Sequence, residues 1–431
     1  MANFIEPRIL KGFRDFLPAA EIERRSLVER IEASFRLYGF VPIDTPALEY
    51  AEILLGKGGG ETEKQIYRFT DHGGRDVALR FDLTVPFARF VAEHRDELPL
   101  PFKRYHIAKV WRGENTQRGR YREFTQCDFD IVGSDSAAAD FEILLVMRNT
   151  LRAIGAGETS IRINHRGLFN RFLARLSCQD QSVGILRTVD KLAKTGREAA
   201  AASLEALVGK DRAEEILRFV EARGSFEEVQ KAVTEAAGGP CAESERLSRI
   251  RQFMIDTGTG DSFVLDPSIT RGLDYYTGIV YETFLRELPG IGSVCSGGRY
   301  DDLAGLYSRD KLAGVGSSIG LDRLIAALES LGKTGGQNAY ARVLIACVDE
   351  AAGGAYQALA ERFRTQGIPC EVFPEAKKLT QQFILAEKKG ARWVIIPGNN
   401  PAGPLTLREL AARRDRENLS VDEAAAILRG E

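Results

Sequence analysis

Polar side chains alternate along residues 111–133, and their order along the chain predicts a binding site. This stretch is typical of an antiparallel hairpin with strands at 102–112 and 120–132 and a turn near 115–119. Since successive side chains of a strand point to opposite faces, one face of the second strand carries Arg120, Arg122, Phe124, Gln126, Asp128 and Asp130. Cations lie nearest the turn, an aromatic ring follows, and an amide and carboxylates lie at the far end. That order suits a ligand with phosphates, a flat base and a cationic tail.

A half-exposed hairpin with solvated charges is the alternative interpretation. Three further segments favour a binding site, namely the polar segment 79–84 and the segments 271–278 and 314–323, which combine polar residues with glycine. The first, LRFDLT, predicts a strand with Asp82 and Thr84 on one face, where a carboxylate and a hydroxyl can receive an ammonium group. Alternatively, this pair caps a helix at 85–93.

The segment 314–323, GVGSSIGLDR, predicts a glycine-lined strand that runs into a helix. Glycine lets the backbone approach a ligand closely, and Arg323 would project from the first helical turn. Tight packing of the helix on the strand is the alternative reason for these glycines. A dinucleotide fingerprint fits poorly, because the glycine spacing differs and no ribose-binding acid follows.

Composition narrows the class of protein. With 431 residues and a net charge of −2, the sequence predicts two or three domains whose contacts with nucleic acid would be local basic patches. The six cysteines and four histidines show no spacing typical of a zinc site or a disulfide framework, so we expect no metal bound by protein ligands alone. The sequence has no signal-peptide pattern and no apolar run of membrane-spanning length, which predicts a cytoplasmic protein without membrane contact.

Four regions are predicted from the pattern of the chain. Strands and helices at 1–163 and 255–331 form one domain, and a helical module rich in Ala, Glu, Lys, Arg and Leu is inserted at 164–254. A linker at 332–340 precedes a small α/β domain at 341–431. This last domain carries a possible phosphate-facing patch, with a solvated helix face as the alternative; the patch consists of Lys377, Lys378, Lys388, Lys389 and Arg392.

Five motifs spread over essentially the whole chain resemble those of the histidyl-tRNA synthetases, a family of class II aminoacyl-tRNA synthetases. The class is indicated by PIDTPALE, by WRGEN with the following REF, and by GLDRL. The segments RGLDYYTG and SGGRYDDL resemble the two histidine-specific motifs of the family. The resemblance implies an α+β fold with an antiparallel-sheet catalytic domain, a helical insertion and a C-terminal α/β anticodon-binding domain. It also implies a homodimer whose interface includes Pro46.

The resemblance further implies a histidine–tRNA ligase that uses histidine, ATP and tRNA(His), with Mg²⁺ on the β- and γ-phosphates. ATP would be bound by Arg112, Glu114, Arg120, Phe124 and Arg323. Histidine would be bound by Asp82, Thr84, Arg112, Gln126, Asp130, Arg271, Tyr275 and Tyr276. Of these, Arg271 and Arg112 would be the catalytic cations at the α-phosphate.

Two positions depart from the pattern that is common in bacterial members of the family. The turn carries Asn115-Thr116-Gln117 where many bacterial members have Arg-Pro-Gln, and Asp130 is one methylene shorter than their glutamate.

The main alternative is a non-catalytic relative that regulates ATP phosphoribosyltransferase in histidine biosynthesis. Such proteins usually lack the C-terminal domain and part of the arginine set, whereas Arg112, Arg271, Arg323 and the last domain are present here. A class II ligase for another amino acid conflicts with RGLDYYTG.

Overall fold

The structure is a computed structural model that describes residues 4–56, 61–270, 276–301, 305, 307, 312–335, 339–398 and 403–430. The chain forms two compact units. The first consists of Met1–Arg14 and Leu27–Thr334, and the second of Asp15–Ser26 and Gly335–Glu431. In the described part of the chain, no helix has both the length and the apolar character needed to cross a membrane.

The bounds of the elements up to the end of the first unit are as follows. The strands are β1 (Val41–Pro42), β2 (Leu48–Tyr50), β3 (Arg68–Thr70), β4 (Asp76–Leu79), β5 (Phe102–Trp111), β6 (Glu123–Val132), β7 (Thr159–His165), β8 (Phe263–Leu265), β9 (Ile279–Leu285), β10 (Cys295–Tyr300) and β11 (Gly314–Gly320). The α-helices are α1 (Pro18–Leu37), α2 (Ala51–Leu55), α3 (Glu61–Gln65), α4 (Thr84–Glu93), α5 (Ala137–Ala153), α6 (Arg166–Arg175), α7 (Ser182–Thr195), α8 (Arg197–Val208), α9 (Lys210–Val220), α10 (Phe226–Ala236), α11 (Ala242–Asp256) and α12 (Leu321–Ser330).

A large sheet dominates the first unit, with eight strands among the described residues in the order β1-β5-β6-β11-β10-β9-β7-β8. The pairings from β5 to β7 are antiparallel, while the edge strands β1 and β8 pair in parallel with their neighbours. The predicted antiparallel sheet is therefore confirmed. Pro42 lies in the edge strand β1, as expected for a residue that has no N–H to donate to a second neighbour.

The hairpin predicted around the turn at 115–119 is confirmed as β5 and β6, which pair from Phe102 opposite Val132 to Trp111 opposite Glu123. One face of β6 packs into the apolar core, where the ring of Phe129 lies 4.7 Å from the ring of Phe35 in α1. Burial of each such side chain contributes roughly 1.5–3 kcal/mol. Since this face of β6 is fixed in the core, the opposite face is left for polar residues.

The helical insertion is confirmed, because α6 to α11 follow one another between the strands β7 and β8. The predicted strand at 79–84 is wrong beyond Leu79. Asp82 Oδ1 accepts hydrogen bonds from the backbone N–H groups of Thr84 (3.0 Å) and Val85 (2.9 Å), which starts the helix α4 directly after β4. Local capping by a carboxylate thus overrides the extended pattern.

The second unit holds five further strands and three further helices in its described part: β12 (Val343–Ile345), α13 (Gly353–Arg364), β13 (Cys370–Val372), α14 (Leu379–Lys389), β14 (Trp393–Pro397), β15 (Leu405–Glu409), β16 (Arg414–Leu419) and α15 (Val421–Arg429). Its sheet has the order β13-β12-β14-β15-β16, parallel among the first three strands and antiparallel thereafter. The predicted α/β alternation is confirmed, as is the capping box of Ser420 and Glu423 at α15.

The hairpin of β15 and β16 was not predicted from the sequence. The strand β16, RDRENL, is largely exposed along its length, so its charged side chains carry no two-residue hydrophobic period.

Candidate active site

A cavity of about 360 Å³ opens on the polar face of the large sheet. Its lining includes nine of the residues that the sequence predicts as site residues: Asp82, Thr84, Arg112, Glu114, Arg120, Phe124, Gln126, Tyr276 and Arg323. They come from the start of α4, both sides of the β5–β6 hairpin, the segment before β9 and the first turn of α12. Tertiary folding therefore brings together residues that lie more than two hundred positions apart in sequence.

The remaining predicted site residues lie elsewhere or outside the description. Arg271 and Tyr275 lie outside the described residues. Asp130 is buried beneath the cavity instead of lining it. Arg122 was predicted on the same face as Phe124, but its Nε donates to the backbone carbonyl of Glu114 at 3.3 Å, and Tyr121 lines the cavity in its place. The reason is that β6 begins only at Glu123, so strict alternation does not extend back to Arg122.

Three guanidinium groups form the cationic part of the cavity. Arg112 donates from Nε to the carbonyl of Phe81 at 3.0 Å, and its guanidinium carbon lies 5.1 Å from the centre of the Phe124 ring. Arg323 donates from Nη1 to the carbonyl of Ser293 at 2.6 Å. Arg120 lies 3.4 Å from the carboxylate of Glu114. Fixed guanidinium groups around an aromatic ring are suited to phosphates attached to a flat base.

Acceptor groups form the opposite part of the cavity. Burial raises the pKa of Asp82, against the effect of its two backbone hydrogen bonds and of the positive charge of Arg112. Gln126 donates from Nε2 to Ser318 Oγ at 2.8 Å, and its buried Oε1 has no hydrogen-bond partner among the described residues. Asp82 therefore both caps α4 and lines the cavity, so the capping role does not exclude the predicted role in binding. These oxygens suit an ammonium group, which has three donors and no acceptor.

Buried acids lie under this part of the cavity. The hydroxyl of Tyr300 donates to Asp130 Oδ1 at 2.5 Å. Burial raises the pKa of Asp130, although this hydrogen bond and the charge of Arg104 act in the opposite direction. Burial also raises the pKa of Asp128 to about 7, again opposed by Arg104. Asp128 and Asp130 are thus buried carboxyl groups that do not line the cavity themselves.

The glycines of β11 occupy their positions for different physical reasons. Gly316 pairs with Asp130 across the strands, and a Cβ at this position would overlap Asp130 Oδ1. A Cβ on Gly314 would meet the ring of Tyr300 in the same way. At Gly320 the nearest atom to a Cβ would be the carbonyl oxygen of Val294, at 3.9 Å, and Gly320 lines the cavity. Packing thus explains Gly314 and Gly316, whereas space for a ligand remains the interpretation for Gly320.

Several cavity residues were missed from sequence. Glu282 lines the cavity from β9, where it is a lone acid in the apolar run IVYETFL, and this contrast is the signal that could have found it. Asp322, next to Arg323, accepts the backbone N–H of Thr125 at 2.6 Å and pairs with Arg14. The guanidinium of Arg14 lies 3.4 Å from the centre of the Tyr121 ring. Asp322 therefore ties the start of α12 to β6.

Two family models match the chain. One, described as histidyl-tRNA synthetase, matches residues 12–324, and one described as anticodon binding domain matches residues 342–431. The histidine–tRNA ligase of Treponema pallidum (strain Nichols) is 54% identical over 425 residues, covering 96% of this chain and 96% of that protein. The protein of the same name from Rhodopirellula baltica is 49% identical over 421 residues, covering 96% of this chain and 95% of its own.

Two solved structures also match the chain. The crystal structure of histidyl-tRNA synthetase from Nostoc sp. PCC 7120 matches with a TM-score of 0.86 and 31% identity and covers 100% of both chains. A structure from Bacillus halodurans, described as an ATP phosphoribosyltransferase regulatory subunit/histidyl-tRNA synthetase, matches with a TM-score of 0.73 at 22% identity and covers 89% of this chain and 97% of that one. At that identity the second match supports the fold alone.

Proposed function

The chain belongs to the histidyl-tRNA synthetase family, and we propose on this premise that it is a histidine–tRNA ligase whose active site is the cavity on the large sheet. It is an aminoacyl-tRNA synthetase that activates histidine with ATP and transfers the histidyl group to the 3′ end of tRNA(His). The observation that carries the assignment of the site is the convergence of nine expected residues from separate segments on this one cavity.

ATP is proposed to bind along the cationic part of the cavity. Phe124 would stack on the adenine and Glu114 would accept its amino group, with Arg120 beside that carboxylate. Arg112 would hold the α-phosphate and the histidine carboxylate, and Arg323 the γ-phosphate. Support comes from the positions of these side chains in the cavity lining and from the backbone carbonyls that fix Arg112 and Arg323.

Histidine is proposed to bind across the acceptor part, with its ammonium group at Asp82, Thr84 and Gln126. Its imidazole would point towards Asp130 and Tyr276, and we expect Tyr275 beside them. A site that hydrogen-bonds both ring nitrogens rejects isosteres that lack them, because its buried polar groups would be left unpaired. This selectivity removes the need for an editing domain.

The reaction is an in-line attack of the histidine carboxylate oxygen on the α-phosphorus of ATP. A bond forms between that oxygen and phosphorus, the bond to the β-phosphate oxygen breaks, and pyrophosphate leaves. Arg112 and Arg271 are proposed to hold the two anions together and to stabilise the charge that develops on the α-phosphate oxygens. Orientation of this kind can contribute roughly 7–11 kcal/mol. The histidyl-adenylate then reacts with the terminal ribose of the tRNA, and AMP leaves.

Mg²⁺ is proposed to accompany ATP. Magnesium usually keeps several waters and binds through one or two carboxylates plus substrate phosphates, so a cage of protein ligands is not required. Glu282 fits this chemistry, because its carboxylate is on a buried residue of the cavity lining. When bound, the ion would neutralise charge on the β- and γ-phosphates.

The wider organisation is also a proposal. We propose a catalytic domain at 1–163 and 255–331, a helical insertion at 164–254, a linker at 332–340 and a tRNA-binding domain at 341–431. A cytoplasmic homodimer is proposed, with Pro46 in its interface. Support comes from exposed apolar side chains of the small sheet β2-β4-β3, namely Leu48, Tyr50 and Phe69, and of Val41 in the edge strand β1 of the large sheet.

The alternative of a non-catalytic regulatory subunit is less well supported. Arg112 and Arg323 both lie in the cavity lining, and the match to an anticodon binding domain at 342–431 covers the region that such regulators usually lack.

The decisive experiment is ATP–pyrophosphate exchange by the purified chain with each amino acid in turn. Exchange that depends on histidine and on no other amino acid is expected. Absence of exchange with histidine under conditions in which the chain is folded would exclude the ligase function.

A further inference from the structure

A buried arginine that does not line the cavity lies directly across the hairpin from Asp130. Arg104 in β5 and Asp130 in β6 are Cα partners, so their side chains share one face of the sheet. Their charged atoms, Arg104 Nη2 and Asp130 Oδ2, are 2.7 Å apart, and the exposed fractions of the two side chains are 0% and 3%. Arg104 thus forms an ion pair with the acid that is proposed to face the imidazole.

Protein groups approach both oxygens of Asp130, but among the described residues only Oδ1 accepts a hydrogen bond. Arg104 approaches Oδ2 from β5, and the hydroxyl of Tyr300 donates to Oδ1 from β10. On the third side Gly316 in β11 offers no side chain, which gives the carboxylate its space. The carboxylate is thus held by a hydrogen bond at Oδ1 and by the charge of Arg104 at Oδ2, and Oδ2 keeps its lone pairs for a ligand.

Arg104 also reaches the other half of the proposed histidine site. Its Nη2 lies 3.4 Å from the carbonyl of Leu83, which is between Asp82 and Thr84, and its guanidinium carbon lies 4.1 Å from the centre of the Phe87 ring in α4. One side chain thus contacts both the segment proposed to bind the ammonium group and the acid proposed to bind the ring. The distance between these two groups must match the length of a histidine molecule.

We propose that Arg104 is a positioning residue for histidine recognition, which fixes Asp130 in orientation and in charge and couples it to the Asp82–Thr84 segment. The inference rests on the proposed function, because it assumes that Asp130 faces the substrate imidazole. Arg104 touches neither histidine nor ATP in this account. Its contribution is therefore expected in the affinity for histidine and not in that for ATP.

Steady-state exchange kinetics of Arg104→Met test this directly. The KM for histidine is expected to rise by about tenfold or more, while the KM for ATP changes by less than about twofold. Without the cation, the carboxyl of Asp130 holds its proton to a higher pH. The ratio of variant to wild-type kcat/KM for histidine should therefore rise with pH, and this ratio cancels the titration of free histidine itself. If this ratio does not change with pH and the KM values for histidine and ATP rise equally, the substitution perturbs the whole site and the proposal is overturned.

A double-mutant cycle with Asp130→Asn separates positioning from independent support of the fold. If Arg104 acts through Asp130, the double variant Arg104→Met/Asp130→Asn has a KM for histidine within about twofold of Asp130→Asn alone. Losses that multiply would show that Arg104 acts elsewhere. The double variant also removes both buried charges together, so neither is left unpaired.

The conservative variant Arg104→Lys serves if Arg104→Met does not fold, as judged by urea unfolding. Lysine keeps the charge but loses the planar fork, so a smaller rise in the KM for histidine with a pH-independent ratio is expected. A KM for histidine equal to the wild-type value in this variant would count against the proposal. Histidine-dependent exchange by the wild-type chain is measured first, so that failure of the ligase function and failure of this inference give different results.

Discussion

At the level of single residues, the cations of the cavity are held mainly by uncharged partners. Backbone carbonyls fix Arg112 and Arg323, and a carbonyl directs a guanidinium without contributing a net negative charge. The ring of Phe124 beside Arg112 adds a cation–π contact at 5.1 Å. At Arg112 this arrangement keeps the positive charge available for anions that arrive with the substrates, which is what attack of one anion on another requires.

Arg271→Ala tests the catalytic cation that the RGLDYYTG segment implies. We expect histidine-dependent ATP–pyrophosphate exchange to be lost, because one of the two cations proposed to stabilise the α-phosphate would be removed, while urea unfolding stays close to that of the wild type. Exchange at wild-type speed in the variant would contradict the role. The control is Arg175→Ala, at an exposed position of α6 that is not among the cavity residues.

Gly316→Ala tests the packing role of glycine beside Asp130. A Cβ here would overlap Asp130 Oδ1, so either the strand or the carboxylate must move. We expect the free energy of unfolding in urea to fall by about 3 kcal/mol or more, at the upper end of overpacking costs. Gly320→Ala is the matched control in the same strand, since its Cβ would have no atom nearer than 3.9 Å. Equal stability of both variants would refute this explanation.

At the level of elements, side chains at helix starts fix where the strands and helices of the site meet. Asp82 caps α4, and Asp322 in the first turn of α12 accepts the N–H of Thr125 in β6. His165 ends β7 and begins α6, where its Nδ1 accepts the N–H of Gly167 at 3.1 Å. Each junction uses one side chain to accept a backbone N–H group, locally at Asp82 and His165 and across the fold at Asp322.

His165→Asn tests the electrostatic consequence of such a junction. Burial lowers the pKa of His165 to about 4; Arg246 and Arg299 act in the same direction, while Glu243 and Asp301 oppose it. The unfolded chain takes up this proton below pH 6.5 and the folded chain only near pH 4, so the unfolded state gains protons first and stability falls as the pH falls through this window. Between pH 6.5 and pH 4 the free energy of unfolding falls by roughly 3 kcal/mol from this group.

Asparagine keeps an acceptor at the helix start but does not titrate. The free energy of unfolding should therefore fall less between pH 6.5 and pH 4 in His165→Asn than in the wild type. Urea unfolding at a series of pH values measures this difference. His72→Asn at an exposed turn is the control. A curve for His165→Asn that runs parallel to the wild type would refute the assignment.

At the level of the whole molecule, exposed apolar groups around the small sheet predict association of two copies. Tyr50 and Phe69 are 50% and 48% exposed, and Leu48 lies on the same sheet. Phe69→Asp should shift the chain from dimer to monomer in sedimentation velocity, because a buried unpaired charge opposes association. Val183→Asp in α7 is the matched control, as Val183 is also exposed (57%) but lies in the helical insertion. A dimer in both variants would place the interface elsewhere.

The basic patch of the second unit is smaller than its sequence indicates. Lys377 and Arg392 pair with Glu375 (2.8 Å) and Glu409 (3.2 Å), and Lys389 pairs with Glu371. The other two lysines of the patch, Lys378 and Lys388, are exposed.

If the patch faces phosphates, Lys378→Glu/Lys388→Glu should raise the KM for tRNA in aminoacylation several-fold, because two proposed phosphate contacts become repulsive. Exchange without tRNA should be unchanged and serves as the internal control. Equal effects on both assays, or none on aminoacylation, would favour a solvated helix face.

Sequence alone determined the large features of this protein, because each depends on local periodicity or on a complete motif. The hairpin of β5 and β6, the helical insertion and the capping box at Ser420 all follow from spacing within one segment. The five motifs indicated the family, since each joins several residue types in a fixed order. Prediction from sequence was wrong at Asp82, whose side chain accepts backbone N–H groups and starts a helix where a strand was expected. It also missed β16, because this exposed strand has no alternation of apolar residues.

Only the tertiary structure decided which residues from distant segments meet. The pairing of Arg104 with Asp130, the use of Gly316 as space for that carboxylate, and the arrival of Glu282 and Asp322 at the cavity depend on the order of strands in the sheet. Strand order is set by packing of whole faces against helices, which is a property of many residues at once. A pattern within one segment cannot carry that information, and for this reason the buried network beneath the cavity had to be read from the structure.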